Sequence, residues 1–292
     1  MFQWEKKTIE WVNRYLIHIA TGFVLLSAVW IRLGGRNYTG NDFHFSLYDL
    51  PGNCNSLLYR TMADLLMRNP DSAVVLLKYV SYAGDFAVAF FALLLLRGRQ
   101  WKRIDLHTFF PLAACLLSPV VLLYSVSGMK IDSVCMALLL AGLLFLRRDL
   151  PVPMAAVTAL AACLYPAFWP ATAGLWGYWL AGQKKKKRLS PQTWAALLLT
   201  GVVLLLSVCL ENRYKANGYF FGKLFAVNSY TGEPYSNPVE WLLGMCRIYG
   251  YLFAMTGLLL AMKCRRLRIP ALILQLLVIM YVGWQQTSFL AI

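Results

Sequence analysis

Acidic side chains are scarce in this sequence. Only 13 Asp and Glu occur among 292 residues, and charged residues of both signs make up 14%, where a soluble domain carries about a quarter. That scarcity excludes a soluble globular enzyme and a disordered chain. Cysteine is thin as well. The seven cysteines form neither a CxxC pair nor a zinc spacing, and Cys115, Cys135, Cys163 and Cys209 lie inside apolar runs. A disulfide-stapled secreted domain is thereby excluded. The formal net charge of +15 does not point to nucleic acid, because no Lys/Arg-rich folded domain is present to track a phosphate backbone.

What the chain has in quantity is apolar. Hydrophobic residues make up 59%, aromatics 14%, and the mean hydropathy is +0.56. Runs of about 20 apolar residues recur along the whole length, the pattern of helices that cross a bilayer. The expected fold is all-α: a polytopic transmembrane helical bundle of about eight to nine spans, with residues 1–292 forming one domain. The predicted spans are 15–33, 73–96, 106–125, 132–147, 152–182, 190–210, 239–262 and 269–289. The segment 152–182 is too long for one straight crossing at about 1.5 Å per residue. It carries Pro166 and Pro170 near its middle, and proline interrupts the helical ladder. It therefore reads as a Pro-broken helical hairpin turning near Tyr165-Pro166.

Charge favours the hairpin. With it, and with the N-terminus inside, five basic clusters fall on one side. They are Lys6, Lys7 and Arg14; Arg97, Arg99, Lys102 and Arg103; Arg147 and Arg148; Lys184 to Arg188; and Lys263, Arg265, Arg266 and Arg268. A single crossing at 152–182 would put the Lys184–Arg188 run outside, against the positive-inside rule. The expectation is a multi-pass plasma membrane protein, in a bacterial inner membrane, with a cytoplasmic N-terminus. The segment Met1 to Arg14 is too charged for a cleaved signal peptide, so the first span should remain as an anchor.

This topology leaves two long outer segments, about 34–72 and 211–238, and a short outer turn at 126–131. The first loop concentrates Asp42, His44 and Asp49 within eight positions, beside Arg36 and several aromatics. An ordinary solvated loop is the competing explanation. Further on, Leu58, Met62, Leu65 and Leu66 share one helical face while Arg60, Asp64 and Arg68 share another. That is an amphipathic helix lying along the membrane surface, able to shape a groove for a lipid-linked substrate or simply to anchor the loop.

Inside the predicted spans, Asp85 stands out. A carboxylate at that depth costs at least a few kcal/mol, so it needs a partner or a task. Lys78 is two turns away on the same helix, so the partner should come from another one. Asp132 opens a span just after Ser127-Gly128-Met129-Lys130-Ile131. Acids favour helix N-termini, and a base beside such a turn suits a phosphate. The second outer segment mixes Arg213, Lys215 and Lys223 with tyrosines and phenylalanines, which suits either sugar faces or the membrane interface.

The run Leu117-Ser118-Pro119-Val120, then Ser125-Val126-Ser127-Gly128-Met129-Lys130-Ile131-Asp132-Ser133 before an apolar helix, resembles a recurring segment of the GT-C superfamily of integral-membrane glycosyltransferases. These include the polyprenyl-phosphate-mannose-dependent mannosyltransferases. Tyr165-Pro166, Asp85 and the stretch 56–68 are similar to further features of that superfamily. The resemblance covers about residues 15–182. It implies an inverting displacement on the extracytoplasmic side, from a polyprenyl-phosphate sugar donor to a glycan or lipid acceptor. Asp42 occupies the place of the family's first-loop catalytic base, with Asp49 in reserve. Lys130, Arg36 and Arg213 are candidates for the donor phosphate, and His44, Asp85, Asp132 and Ser133 for polar support. An Asp-x-His pair is thin as a metal signal, so no cofactor and no obligatory divalent metal are expected. The expected partners are the lipid donor, the acceptor and membrane lipids. Two other readings stand beside the enzyme: a transporter or flippase for a lipid-linked glycan, using Asp85 and Asp132, and a non-catalytic subunit working with envelope-glycan assembly partners. The second is suggested by a chain shorter than is usual in the superfamily.

Overall fold

The computed structural model describes residues 3–37, 70–98, 104–127, 131–165, 168–183, 190–213, 234, 236–264, 266 and 268–288. Among these residues the chain is almost entirely helical and contains no strand. Ten helices follow one another there: α1 Gln3–Gly34, α2 Pro70–Arg97, α3 Leu106–Leu117, the single turn α4 Pro119–Leu122, α5 Asp132–Arg147, α6 Pro151–Leu164, α7 Trp169–Gln183, α8 Pro191–Arg213, α9 Pro238–Lys263 and α10 Arg268–Ser288.

Among the described residues, three helical stretches are long and apolar enough to cross a membrane: Trp4–Gly34, Val75–Arg97 and Leu106–Val126. A fourth qualifies if α9 counts as one span, for it bends by 62° between Pro238–Met245 and Tyr249–Lys263. Others are apolar but short. Helix α5 has 16 residues and α6 has 14, about 24 and 21 Å at the helical rise, against a hydrocarbon layer of about 30 Å. The expected break in 152–182 is present. Helix α6 stops at Leu164, Tyr165 takes extended backbone, and α7 starts at Trp169, consistent with the restriction that Pro166 imposes on its predecessor.

Helix ends follow local chemistry. Asp105 caps α3, its carboxylate accepting from Thr108 N at 2.9 Å. Asn237 caps α9, accepting from Glu240 N at 2.8 Å, while Glu240 reaches back to Ser236 N at 2.9 Å. The two contacts resemble a capping box, with Glu240 answering the residue just before the cap. Between α3 and α4, Ser118 is extended ahead of Pro119. The proline supplies no N–H, so carbonyls at the end of α3 lose their helical donors. After α4, Leu123–Ser127 continues as a π-turn, a wide turn of a kind frequent at functional sites.

Helix α5 is central. It packs on α2 and α6, while α8 packs on α6, α3 lies between α1 and α2, and α9 pairs with α10. The main core joins Val88 and Ala92 of α2, Leu116 of α3, Cys135 and Leu140 of α5, and Tyr251 and Met255 of α9. A smaller cluster gathers Met154, Ala155, Trp176, Trp179 and Ala196. Small residues set the closest approaches. A Cβ on Gly84 of α2 would come within 2.7 Å of the Val134 backbone nitrogen, and one on Gly142 of α5 within 2.6 Å of Thr158.

Candidate functional site

Two ionisable residues from different helices meet in the middle of the bundle. Arg32, near the end of α1, is 1% exposed, and Asp85 of α2 is 0% exposed. Arg32 Nη2 and Nε both donate to Asp85 Oδ2, at 2.7 and 3.0 Å. Nη2 also donates to Leu116 O at 3.1 Å and Nη1 to Ala28 O at 3.0 Å. Leu116 lies just before the Ser118-Pro119 break, so the break in α3 supplies an acceptor for the buried guanidinium. The ring of Phe86 lies 5.4 Å from the Arg32 guanidinium carbon, close enough for a cation–π contribution. Burying two charges is costly unless they are paired and their remaining hydrogen-bonding capacity is filled. Arg32 meets that condition more fully than its partner. Among the described residues Asp85 Oδ1 makes no hydrogen bond. The hydroxyls of Ser125 and Ser133 lie near the carboxylate, but they donate to backbone carbonyls of Val121 and Ser81, each at 2.9 Å.

The root of the first loop is drawn into the same region. Lys78 of α2 is fully buried and donates to Gly35 O at 2.5 Å. Lys78 stands eight residues after Pro70, about 12 Å along the helix. The short 3-10 turn Gly35–Asn37 is therefore recessed below the start of α2. It packs against the π-turn, and a Cβ on Gly35 would strike the Val126 side chain. The N-terminal turn of α5 completes this end, with Asp132 and Ser133 at 4% and 1% exposed. The rings of Tyr124 in the π-turn and Tyr251 of α9 are centred 5.5 Å apart, so α9 also meets the π-turn.

The residues singled out from sequence divide accordingly. Ser133 meets the Ser81–Asp85 stretch of α2, and Asp132 is buried beside it at the start of α5. Ser133 serves there as a helix-to-helix hydrogen-bond donor. Arg36 sits in the recessed 3-10 turn and is exposed. Arg213 is the last residue of α8, on a different element. Asp42, His44, Asp49, Lys130 and the expected amphipathic helix at 56–68 lie outside the described residues. Arg32 and Lys78 are the polar members that sequence reasoning did not assign. Arg32 had a signal: an arginine inside an apolar run, in a chain that also buries an aspartate, is a natural candidate for its counter-ion. No group of three His, Cys, Asp or Glu able to hold a metal ion occurs among the described residues. Comparison of the chain with protein-family models, with curated proteins and with solved structures finds no match.

Proposed function

We propose that the chain is a membrane glycosyltransferase of the GT-C type, with eight to nine spans and a cytoplasmic N-terminus in a bacterial inner membrane. It moves a hexose from a polyprenyl-phosphate donor to a glycan or lipid acceptor on the outer side. The acceptor hydroxyl gives its proton to the Asp42 carboxylate while its oxygen attacks the anomeric carbon. The bond from that carbon to the donor phosphate breaks, and the polyprenyl phosphate leaves with the electron pair. Lys130, Arg36 and Arg213 offset the charge on the leaving phosphate, and Asp49 is the alternative base. The reading rests on the sequence run 117–133 and on one observation: the root of the first loop packs on the π-turn that leads to Asp132. A base a few residues beyond that root and a cation in the bend would then share one end of the bundle.

The test is sugar transfer by the full chain in proteoliposomes, with a radiolabelled polyprenyl-phosphate hexose. Asp42→Asn should abolish transfer while membrane insertion and thermal midpoint stay at wild-type values, and Lys130→Met should raise KM for the donor more than it lowers kcat. Transfer undiminished in both Asp42→Asn and Asp49→Asn would remove the first loop from the chemistry. Transbilayer movement of the lipid without any glycosidic product would replace the enzyme with a flippase.

A further inference from the structure

At the opposite end of α2 a second feature has no part in the proposed sugar chemistry. A cleft of about 650 Å³ opens between the ends of α2 and α9 and the starts of α3 and α10. Its walls are apolar, and two of them, Phe110 and Leu272, remain 61% and 59% exposed. Its rim carries Arg97, His107, Lys263 and Arg268. The carboxylate that answers them is Asp105, which takes Arg97 Nη2 at 2.5 Å. The Arg97 Nε–H, also buried, has no acceptor among the described residues. Lys263 and Arg268 are exposed. Arg97, Lys263 and Arg268 thus stand at the mouth of an oily slot, the first of them paired with Asp105.

We infer that this cleft holds one anionic phospholipid, its phosphate at the Arg97, Lys263 and Arg268 rim and its acyl chain along Phe110 and Leu272. The chemistry selects such an occupant on both counts. A zwitterionic lipid brings its own ammonium to a rim already rich in cations, and a free phosphate leaves the apolar walls uncovered. Basic pockets between transmembrane helices favour acidic headgroups for the same reasons. Helix α3 is fixed at this end by the Asp105 cap and the Arg97 ion pair, so Arg97 is held in place before a lipid arrives.

The experiment uses the full chain in micelles doped with equal phosphatidylglycerol and phosphatidylcholine, with bound lipid counted by native mass spectrometry. Wild type should retain one phosphatidylglycerol in preference to phosphatidylcholine. Lys263→Gln and Arg268→Gln should each weaken retention about fivefold, as expected for one cation near a headgroup. Leu272→Trp, which narrows the slot, should weaken it with the charges intact. Arg148→Gln, outside the cleft, should leave it unchanged, and thermal midpoints should show that every variant, the double one included, is folded. Equal retention of the two lipids, or wild-type retention in the Lys263→Gln/Arg268→Gln double variant, overturns the inference. So does displacement of the lipid by millimolar inorganic phosphate, or a dimer that forms on this face and excludes lipid.

Discussion

Arg32 Nη2 lies 2.7 Å from Asp85 Oδ2, joining two residues 53 apart in the chain, both almost wholly buried. Helices α1, α2 and α3 are held by that contact, because the same guanidinium nitrogen also reaches Leu116 O. Removing one partner leaves the other charged in a medium that solvates it poorly, which costs about 3–5 kcal/mol. Arg32→Met and Asp85→Leu should each lower the thermal midpoint sharply in detergent, whereas the Arg32→Met/Asp85→Leu double variant should recover most of the loss. Additive losses in the double variant would show that the two charges are not coupled. Recovery of stability would also speak for a structural clamp in preference to an ion path.

Small-residue packing gives an independent prediction. A Cβ on Gly84 would meet the Ser133 hydroxyl at 2.6 Å and the Val134 backbone nitrogen at 2.7 Å. The backbone atom cannot rotate aside, so α2 and α5 must separate. Gly84→Ala should destabilise by about 1–3 kcal/mol. Gly22→Ala, where nothing lies within 4 Å of the added carbon, should be neutral or stabilising by up to about 1 kcal/mol. Equilibrium unfolding of the two variants in one detergent separates a steric effect from a general cost of losing glycine.

Much of the fold is legible in the sequence because its causes are local. The apolar runs behind α2 and the α3–α4 stretch announce themselves by length, and the break between α6 and α7 by Pro166. The burden at Asp85 is also legible, since a carboxylate inside an apolar run must be answered. The place of Arg32 inside an apolar run makes it a candidate for that answer, but the pairing itself is not legible, because a contact between helices leaves no periodicity to read. Nor does local sequence announce that Gly35 tucks under Lys78, a contact set by how far α1 and α2 overlap. Helix α5 keeps the bounds read from its apolar run, and α6 ends where the expected hairpin turns. Both are shorter than the hydrocarbon layer. Of the candidate site, the supporting residues Asp85, Asp132 and Ser133 fall within the described helices, whereas the proposed base and the lysine of the bend do not.

Asp105 gives the fold a pH dependence of definite sign. Its partial burial alone would raise the carboxyl pKa, but hydrogen bonds from Thr108 and the charge and hydrogen bond of Arg97 together hold it below the usual carboxylate value. A depressed folded pKa means that the contribution is present above the unfolded value, about 3.9. It is lost as pH falls through the folded value. Asp105→Asn keeps an amide oxygen able to cap α3 but removes the charge. The stability advantage of wild type over Asp105→Asn should therefore be flat at neutral pH and shrink towards zero as pH is lowered past 4. An advantage that stays constant over that range would show that the carboxylate charge contributes nothing to it.

The contact between α9 and the π-turn can be tested by compensation. A Cβ on Gly250 of α9 would stand 2.5 Å from the Tyr124 hydroxyl and 3.3 Å from Val278 of α10, and the rings of Tyr124 and Tyr251 are centred 5.5 Å apart. Gly250→Ala should destabilise, because a buried ring beside the bend has little room to yield. Tyr124→Phe should carry its own smaller cost from the lost hydroxyl. Combined, the two changes should be less damaging than their sum, since the phenylalanine removes the atom with which the new methyl collides. A coupling of about 0.5 kcal/mol or more in the relieving direction, read from a double-mutant cycle of unfolding free energies, is the expected result. Strict additivity would mean that α9 does not seat against the turn at Tyr124, and the convergence of α5, α9 and the π-turn on one end of the bundle would lose its main contact.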